Sequence, residues 1–273
     1  MVPQPSRTKT APIGGRRAAL VPHIPKKRRP LFLCPQQTSG PRNLCYGPPM
    51  NDEHFEPAAF SGKDLGCYRG GRLVFSGLDF EVAPGSALVL RGANGSGKTT
   101  LMRLMAGLAR PAAGHLYWGG AALEDPEQHA NRLRFIGHLD AIKPAQTVAE
   151  NLAFWRALWS QDANNEAIGA AMKPLGIAHL ADFPARHLSA GQRHRLALAR
   201  VIAAPAPLWL LDEPGNALDE SSLKALSQMI ADHRAKGGMV VVASHGAAFV
   251  NDSGTLDLGQ FGSAHIAHWS DAL

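Results

Sequence analysis

A glycine-rich segment between an apolar run and a helix-forming run constrains the fold of this chain more than any other feature. It has glycine, four residues, glycine, lysine and threonine in that order, directly after the apolar residues 87–90. Glycines let backbone N–H groups turn toward an anion, and the lysine can reach the outer phosphates of a nucleoside triphosphate. A helix predicted over 100–108 would direct its positive end at the same point. The segment therefore predicts an ATP site with these candidates: Gly92, Ala93, Asn94, Gly95, Ser96, Gly97, Lys98, Thr99 and Thr100.

A pair of carboxylates follows a second apolar run further along the chain. Leu208 to Leu211 suit a buried parallel strand, which would deliver Asp212 and Glu213 to the edge of the sheet where ligands bind. Asp212, with the Thr99 hydroxyl, is the candidate for holding Mg²⁺, and Glu213 is the candidate general base that polarises the attacking water. A solvated turn is the alternative explanation of such a pair.

Two further segments are candidates for contacts with phosphate. Ser189 and Gln192 have the spacing of a capping box, which fixes a helix start with exposed N–H groups, and Gly191 lies between them. An ordinary helix cap is the alternative. His245 follows the apolar run 239–242 and is a candidate contact of the γ-phosphate, whereas a lone histidine there is more often a surface or packed residue.

These motifs, in this order, resemble those of ATP-binding cassette (ABC) ATPases from about Phe60 to the neighbourhood of Phe249. The resemblance implies an α/β fold of the P-loop NTPase class, with a RecA-like core, a small antiparallel β layer and a helical subdomain. It assigns catalytic roles to Lys98, Glu213 and His245. It also implies a homodimer, in which Ser189 and Gly191 of one chain act on ATP held by Lys98 of the other.

More local segments resemble one branch of that family, the haem-exporter ATP-binding subunits (CcmA type) of cytochrome c biogenesis. They are 91–98, 104–108 with 111–114, Gly137-His138 followed by 142–144, and 150–155. The resemblance implies a peripheral ATPase that joins polytopic membrane subunits of the cytochrome c maturation system at the cytoplasmic face of a bacterial inner membrane and drives haem export. The ATPase subunit of another ABC transporter remains an alternative. A soluble ABC protein acting on nucleic acid or ribosomes is a second alternative, although two nucleotide domains or a long insertion, its usual features, are missing from this sequence.

The chain departs from the family pattern at one position. After the strand predicted to end at His138, ABC domains place a glutamine that touches the Mg²⁺ site, and this chain has Leu139. Because leucine accepts no hydrogen bond, either His138 or Asp140 substitutes, or coupling relies on packing of the loop against the membrane partner. We expect Asp140 to substitute, because a carboxylate suits hydrated Mg²⁺ better than an imidazole. A solvated loop residue is the alternative for Asp140.

Charge and composition separate the first part of the chain from the rest. Residues 1–49 contain nine Lys or Arg, no Asp or Glu and ten of the twenty prolines, so they carry a net charge of +9 and the remainder carries −3. We expect a disordered leader over 1–58, with the true start at Met50, and a nucleotide-binding domain over 59–273; a transit peptide is the alternative for the leader.

No nucleic-acid partner is expected of a domain with a negative net charge. Three cysteines without metal-ligand spacing suit a reducing cytoplasm.

Patterning within the domain predicts its main elements. Strands are expected over 74–82, 87–90 and 114–118, the first and last of them in the antiparallel layer. Helices are expected over 147–159 and 166–175. By the resemblance, Tyr68 and Arg69 lie near the position that stacks on adenine.

Overall fold

The structure is a computed structural model that describes residues 55–160, 165–244, 246 and 248–262, and every structural statement below concerns these residues. In chain order the strands and helices are β1 (Phe60–Arg69), β2 (Arg72–Val82), β3 (Ala87–Arg91), α1 (Lys98–Met105), β4 (Ala113–Trp118), β5 (Ala121–Ala122), α2 (Pro126–Asn131), β6 (Leu133–Ile136), α3 (Val148–Ser160), α4 (Asn165–Met172), α5 (Ala190–Ala203), β7 (Leu208–Asp212), α6 (Glu220–Ala235), β8 (Met239–Ala243) and β9 (Gly254–Asp257). Short 3₁₀ helices cover Ala178–Leu180, Ala185–His187 and Leu258–Phe261.

A five-stranded parallel sheet forms the centre of the domain, in the order β6-β7-β8-β3-β9. All residues of β7 and β8 are buried, which explains why both strands are continuous apolar runs rather than alternating patterns. β3 and β7 flank β8, with Leu90 opposite Ala243 and Asp212 opposite the same alanine. The ends of these strands therefore meet at one edge of the sheet, where the segments after β3, β7 and β8 can line one cleft.

A four-stranded antiparallel sheet, in the order β2-β1-β4-β5, packs on one side of this core. Gly70 and Gly71 connect β1 to β2 with φ angles of 58° and 75°, which glycine adopts without the clash that a side chain would cause. The predicted strands at 74–82, 87–90 and 114–118 are confirmed. The first and last lie in the antiparallel sheet, as predicted, and the strand before the glycine-rich loop lies in the parallel sheet.

The helical subdomain consists of α3 and α4, which pack against each other and against α5. α3 begins after a capping box in which the Thr147 amide donates to Glu150 and the Glu150 amide donates to Thr147 Oγ1. The helix predicted over 147–159 is confirmed, and the one predicted over 166–175 ends at Met172. No described helix is long and apolar enough to cross a membrane. The predicted leader, 1–58, falls almost wholly outside the described residues.

Candidate functional site

A cleft of about 810 Å³ opens at the edge of the parallel sheet where β3, β7 and β8 end. The glycine-rich loop and the first turn of α1 form one wall, and the segments after β7 and β8 form another. Residues that line the cleft are Arg69, Val74, Asn94, Gly95, Gly97, Lys98, Thr99, Thr100, His138, Asp212, Glu213, Gly215, Asn216, Leu223, Ser244, Gly246, Ala248 and Phe249. Both predicted carboxylates and most of the predicted loop candidates therefore line one cleft, whereas Gly92, Ala93 and Ser96 belong to the loop but do not line it.

The glycine-rich loop curls around the lysine side chain. Lys98 Nζ donates to the carbonyl oxygens of Gly92 at 2.7 Å and Ala93 at 3.2 Å, and only 8% of the residue is exposed. Gly97, directly before α1, has a φ of 102°, and a Cβ at this position would lie 2.6 Å from Val74 Cγ1. The loop thus needs glycine at Gly97 both for its backbone angle and for its contact with β2.

A buried polar atom in the same loop suits an anion. The hydroxyl of Ser96 is buried and has no hydrogen-bond partner among the described residues. Such a group normally finds a partner, and a phosphate oxygen would supply one. Gly95, with nothing within 4 Å of the position of a Cβ, leaves the adjacent part of the loop open. These features fit a nucleotide phosphate chain at the start of α1.

The two predicted Mg²⁺ ligands are in contact although they are far apart in sequence. Thr99 Oγ1 donates a hydrogen bond to Asp212 Oδ2 over 3.0 Å, because α1 begins beside the end of β7. A hydroxyl and a carboxylate are hard oxygen ligands, which Mg²⁺ prefers together with phosphate and water oxygens. Within the described part of the chain no cluster of three or more His, Cys, Asp or Glu side chains could hold a metal by itself. The pair therefore fits a metal ion that arrives with the nucleotide.

Glu213, the predicted general base, lies in a strained backbone position at the mouth of the cleft. Its φ is +53°, an angle that a residue with a side chain rarely adopts. Its amide donates to the Ala243 carbonyl at 2.8 Å, and its own carbonyl accepts from the Asn216 amide at 3.1 Å. Strain of this kind persists only where surrounding contacts enforce it, and it is concentrated at functional sites.

Ser189, Gly191 and Gln192 resemble the signature motif of ABC ATPases, so we call them the signature residues and α5, which begins with them, the signature helix. Ser189 caps α5: its hydroxyl accepts from the Gln192 amide at 3.2 Å, and the Gln192 side chain accepts from the Ser189 amide at 2.8 Å. The predicted capping box is therefore confirmed. Gly191 lies against the loop after β7, with its Cβ position 3.0 Å from the Ala217 carbonyl oxygen. None of these three residues is among those lining the cleft of the same chain.

His245 lies outside the described residues, so its predicted contact with phosphate stays a prediction. Its neighbours Ser244 and Gly246 both line the cleft, and the Gly246 amide donates to Ser244 Oγ at 3.3 Å. The segment after β8 that carries the histidine therefore borders the site.

The structure does not bring Asp140 to the cleft, so its substitution for the missing glutamine stays a prediction that the structure does not support. One Asp140 oxygen lies 3.0 Å from His194 Nδ1 on α5, and Asp140 is not among the residues that line the cleft. His138, the other candidate, lines the cleft, and Leu139 is 80% exposed. The loop turns its carboxylate toward α5 because an imidazole there offers a hydrogen-bond partner that the sequence order does not reveal.

Several lining residues were not predicted from the sequence. Leu223 and Phe249 supply apolar surface from α6 and from the segment after β8, and Val74 reaches the cleft from the antiparallel sheet. Arg69 lines the cleft, whereas Tyr68 beside it does not and is 52% exposed. No local pattern marks Val74, Leu223 or Phe249, because each reaches the cleft through tertiary packing.

Comparison with known proteins agrees with the fold and the motifs. The family model described as ABC transporter matches residues 75–216. A putative ABC transporter ATP-binding protein from Pyrococcus furiosus has the same fold, with a TM-score of 0.67, 20% identity and coverage of 75% of this chain and 100% of that chain. The fold and site thus define an ABC-type ATPase.

Two curated relatives narrow the family further. The cytochrome c biogenesis ATP-binding export protein CcmA of Paramagnetospirillum magneticum is 52% identical over 210 residues, covering 76% of this chain and 97% of the relative. The CcmA protein of Rhodospirillum rubrum is 56% identical over 190 residues, covering 69% and 81% respectively. The chain therefore belongs to the ABC transporter family, as an ATP-binding subunit of the CcmA type.

Proposed function

We propose that the chain is the ATP-hydrolysing subunit of a membrane ABC complex that drives haem export for the biogenesis of c-type cytochromes. The observation that carries the proposal is the similarity to CcmA proteins over nearly their whole length, together with a cleft that unites the loop, Thr99, Asp212 and Glu213. The assignment of haem as the substrate rests on the similarity to CcmA proteins and not on a haem-binding feature of the chain.

Residues of the cleft would have distinct roles in ATP hydrolysis. Lys98, now hydrogen-bonded to loop carbonyls, would exchange these for the β- and γ-phosphates when ATP enters. Thr99 and Asp212 would hold Mg²⁺, which when bound neutralises charge on the phosphates. Glu213 would orient and polarise the attacking water, with His245 beside the γ-phosphate. Loss of such a general base costs roughly 10²- to 10⁴-fold in rate.

The signature helix supports a dimeric site. Ser189 is exposed at the start of α5, where the positive end of the helix favours an anion, yet it does not line the cleft of its own chain. Two chains facing each other would bring Ser189, Gly191 and Gln192 of one to the ATP on Lys98 of the other. We infer a homodimer of this kind, joined to polytopic membrane subunits of the cytochrome c maturation system at the cytoplasmic face of a bacterial inner membrane.

Complementation tests the proposal. A bacterial strain that lacks its CcmA-type subunit would receive the wild-type chain or Lys98→Ala, and covalently bound haem in c-type cytochromes would be measured. We expect restoration by the wild type and none by Lys98→Ala at equal protein level. Hydrolysis of ATP by the wild type without any restoration would assign the chain to another ABC transporter.

A further inference from the structure

One imidazole joins three segments around the cleft. His194 lies near the start of α5, and 12% of its side chain is exposed. Its Nδ1 is 3.0 Å from Asp140 Oδ1 in the loop after β6, and its Nε2 is 2.9 Å from the carbonyl oxygen of Pro214, the residue after Glu213. The ring therefore connects the signature helix, the loop that carries His138, and the segment that carries the candidate general base.

Both nitrogens of the ring have an oxygen partner. Nδ1 lies at hydrogen-bond distance from a carboxylate oxygen, and Nε2 lies at hydrogen-bond distance from a backbone carbonyl oxygen. The two partners belong to segments that are far apart in sequence, so the ring of His194 bridges the loop after β6 and the segment after β7.

Arg200 also holds the loop of Asp140 in place. Arg200, two turns further along α5, donates to the Ala141 carbonyl at 3.3 Å and interacts electrostatically with Asp140. Burial lowers the pKa of Arg200 to about 10, and Asp140 acts in the opposite direction, so the guanidinium keeps its charge near neutral pH. Ala141 has a φ of +49°, a strained angle for a residue with a side chain. His194 and Arg200 therefore fasten a strained loop to α5 at two adjacent residues.

We propose that His194 is a positioning residue for ATP hydrolysis. It fixes the positions of Glu213 and of the loop that carries His138 relative to the start of α5. Glu213 has a left-handed backbone that depends on its contacts, and the next carbonyl along the chain is the one that His194 binds. Without the bridge, the loop and the carboxylate can shift relative to the cleft, and a displacement of about 1 Å costs roughly 10²-fold in rate. The inference rests on the proposed ATPase function.

Kinetics of the full chain test the inference. The variants are His194→Ala, Asp140→Asn and, as a matched control, His179→Ala, which removes an exposed histidine from the 3₁₀ helix 178–180. We expect His194→Ala to lower kcat about 10- to 100-fold. The KM for MgATP, the affinity for a fluorescent ATP analogue and the melting temperature should stay close to those of the wild type. His179→Ala should match the wild type in every measurement.

The variant Asp140→Asn tests the bridge from its other end. The amide keeps the size of the side chain but removes the charge that strengthens the hydrogen bond with His194 Nδ1. Its kcat should therefore fall in the same direction as that of His194→Ala and by a smaller factor, while the KM for MgATP stays close to that of the wild type.

Three results would overturn the inference while wild-type hydrolysis is intact. They are a kcat of His194→Ala within twofold of the wild type, a loss of kcat that only follows lost analogue binding or lost folding, and a kcat of Asp140→Asn equal to that of the wild type. If His194→Ala does not fold, the comparison of Asp140→Asn with the wild type decides. A wild-type chain whose hydrolysis does not exceed that of Lys98→Ala would instead contradict the proposed function itself.

Discussion

Acidification is expected to destabilise the domain through His233, a buried residue behind the strand that ends at Asp212. The His233 ring stacks on Trp209 with centroids 3.9 Å apart and planes inclined by 10°, and the residue is 6% exposed. Burial lowers its pKa from 6.5 to about 4, although backbone hydrogen bonds with Met239 and Pro207 act in the opposite direction. The folded domain therefore keeps this histidine neutral at pH values where the unfolded chain protonates it.

The sign and size of the effect follow from these two pKa values. Between pH 6.5 and about 4 the unfolded chain binds more protons, so the stabilisation is complete above pH 6.5 and is lost as the pH falls toward 4. A pH of 5 lies about 1.5 units below 6.5, and each unit lowers the free energy of unfolding by about 1.36 kcal/mol. The free energy of unfolding should be about 2 kcal/mol lower at pH 5 than at pH 8 on account of His233 alone.

Urea unfolding of the full chain at pH 8 and pH 5 measures this loss. In His233→Phe, which keeps an aromatic ring on Trp209 without a titrating group, the loss between the two pH values should be about 2 kcal/mol smaller. His129, another buried histidine with a lowered pKa, is unchanged in both proteins and cancels in the comparison. The control His115→Ala removes an exposed histidine and should behave as the wild type. Equal losses in wild type and His233→Phe would refute the reasoning, because they would show that burial does not lower the pKa of His233 in the folded domain.

Three further predictions concern the site and the leader. In a titration with a fluorescent ATP analogue, Gly97→Ala should bind more weakly than Gly95→Ala. Both positions have a positive φ, but only a Cβ at Gly97 would lie 2.6 Å from Val74. Equal affinities would show that this contact does not matter for binding. Ser189→Ala should cost about 1 kcal/mol in urea unfolding through loss of the helix cap, and it should also reduce ATP hydrolysis, whereas unchanged hydrolysis would argue against a role for Ser189 at the partner's ATP. Removal of residues 1–49 should leave ATPase activity and assembly with membrane subunits intact, because a disordered basic segment contributes no core contacts, and lost function on deletion would contradict this.

Local chemistry made much of this domain predictable. β7 and β8 are continuous apolar runs because both faces of a central parallel strand are buried, and the same pattern is visible in the sequence. The Ser189 capping box and the glycine-rich loop are also contained in a few consecutive residues. The approach of Thr99 to Asp212 could be expected because α1 and β7 both present their functional residues at one edge of the sheet.

What could not be predicted depends on contacts between distant segments. β1 was not assigned as a strand: its pairing with β2 shifts register between residues 62 and 68, which breaks the alternation that would have marked it. Asp140 was assigned to the metal site from its position in the loop, while its partner His194 comes from a helix that follows much later. The stack of Arg134, Trp159, Trp155 and Arg200 likewise joins β6, α3 and α5 and has no local signature.

The most direct test of the account compares Lys98→Ala with Glu213→Gln in the presence of MgATP. Both variants would be assayed for bound ATP, for phosphate release and for molecular mass by light scattering, with Lys224→Ala, an exposed position on α6, as the control. The account predicts that Lys98→Ala neither binds ATP nor dimerises, whereas Glu213→Gln retains unhydrolysed ATP and becomes a stable dimer, with hydrolysis reduced roughly 10²- to 10⁴-fold. Near wild-type phosphate release by Glu213→Gln, or bound ATP in a protein that stays monomeric, would contradict it.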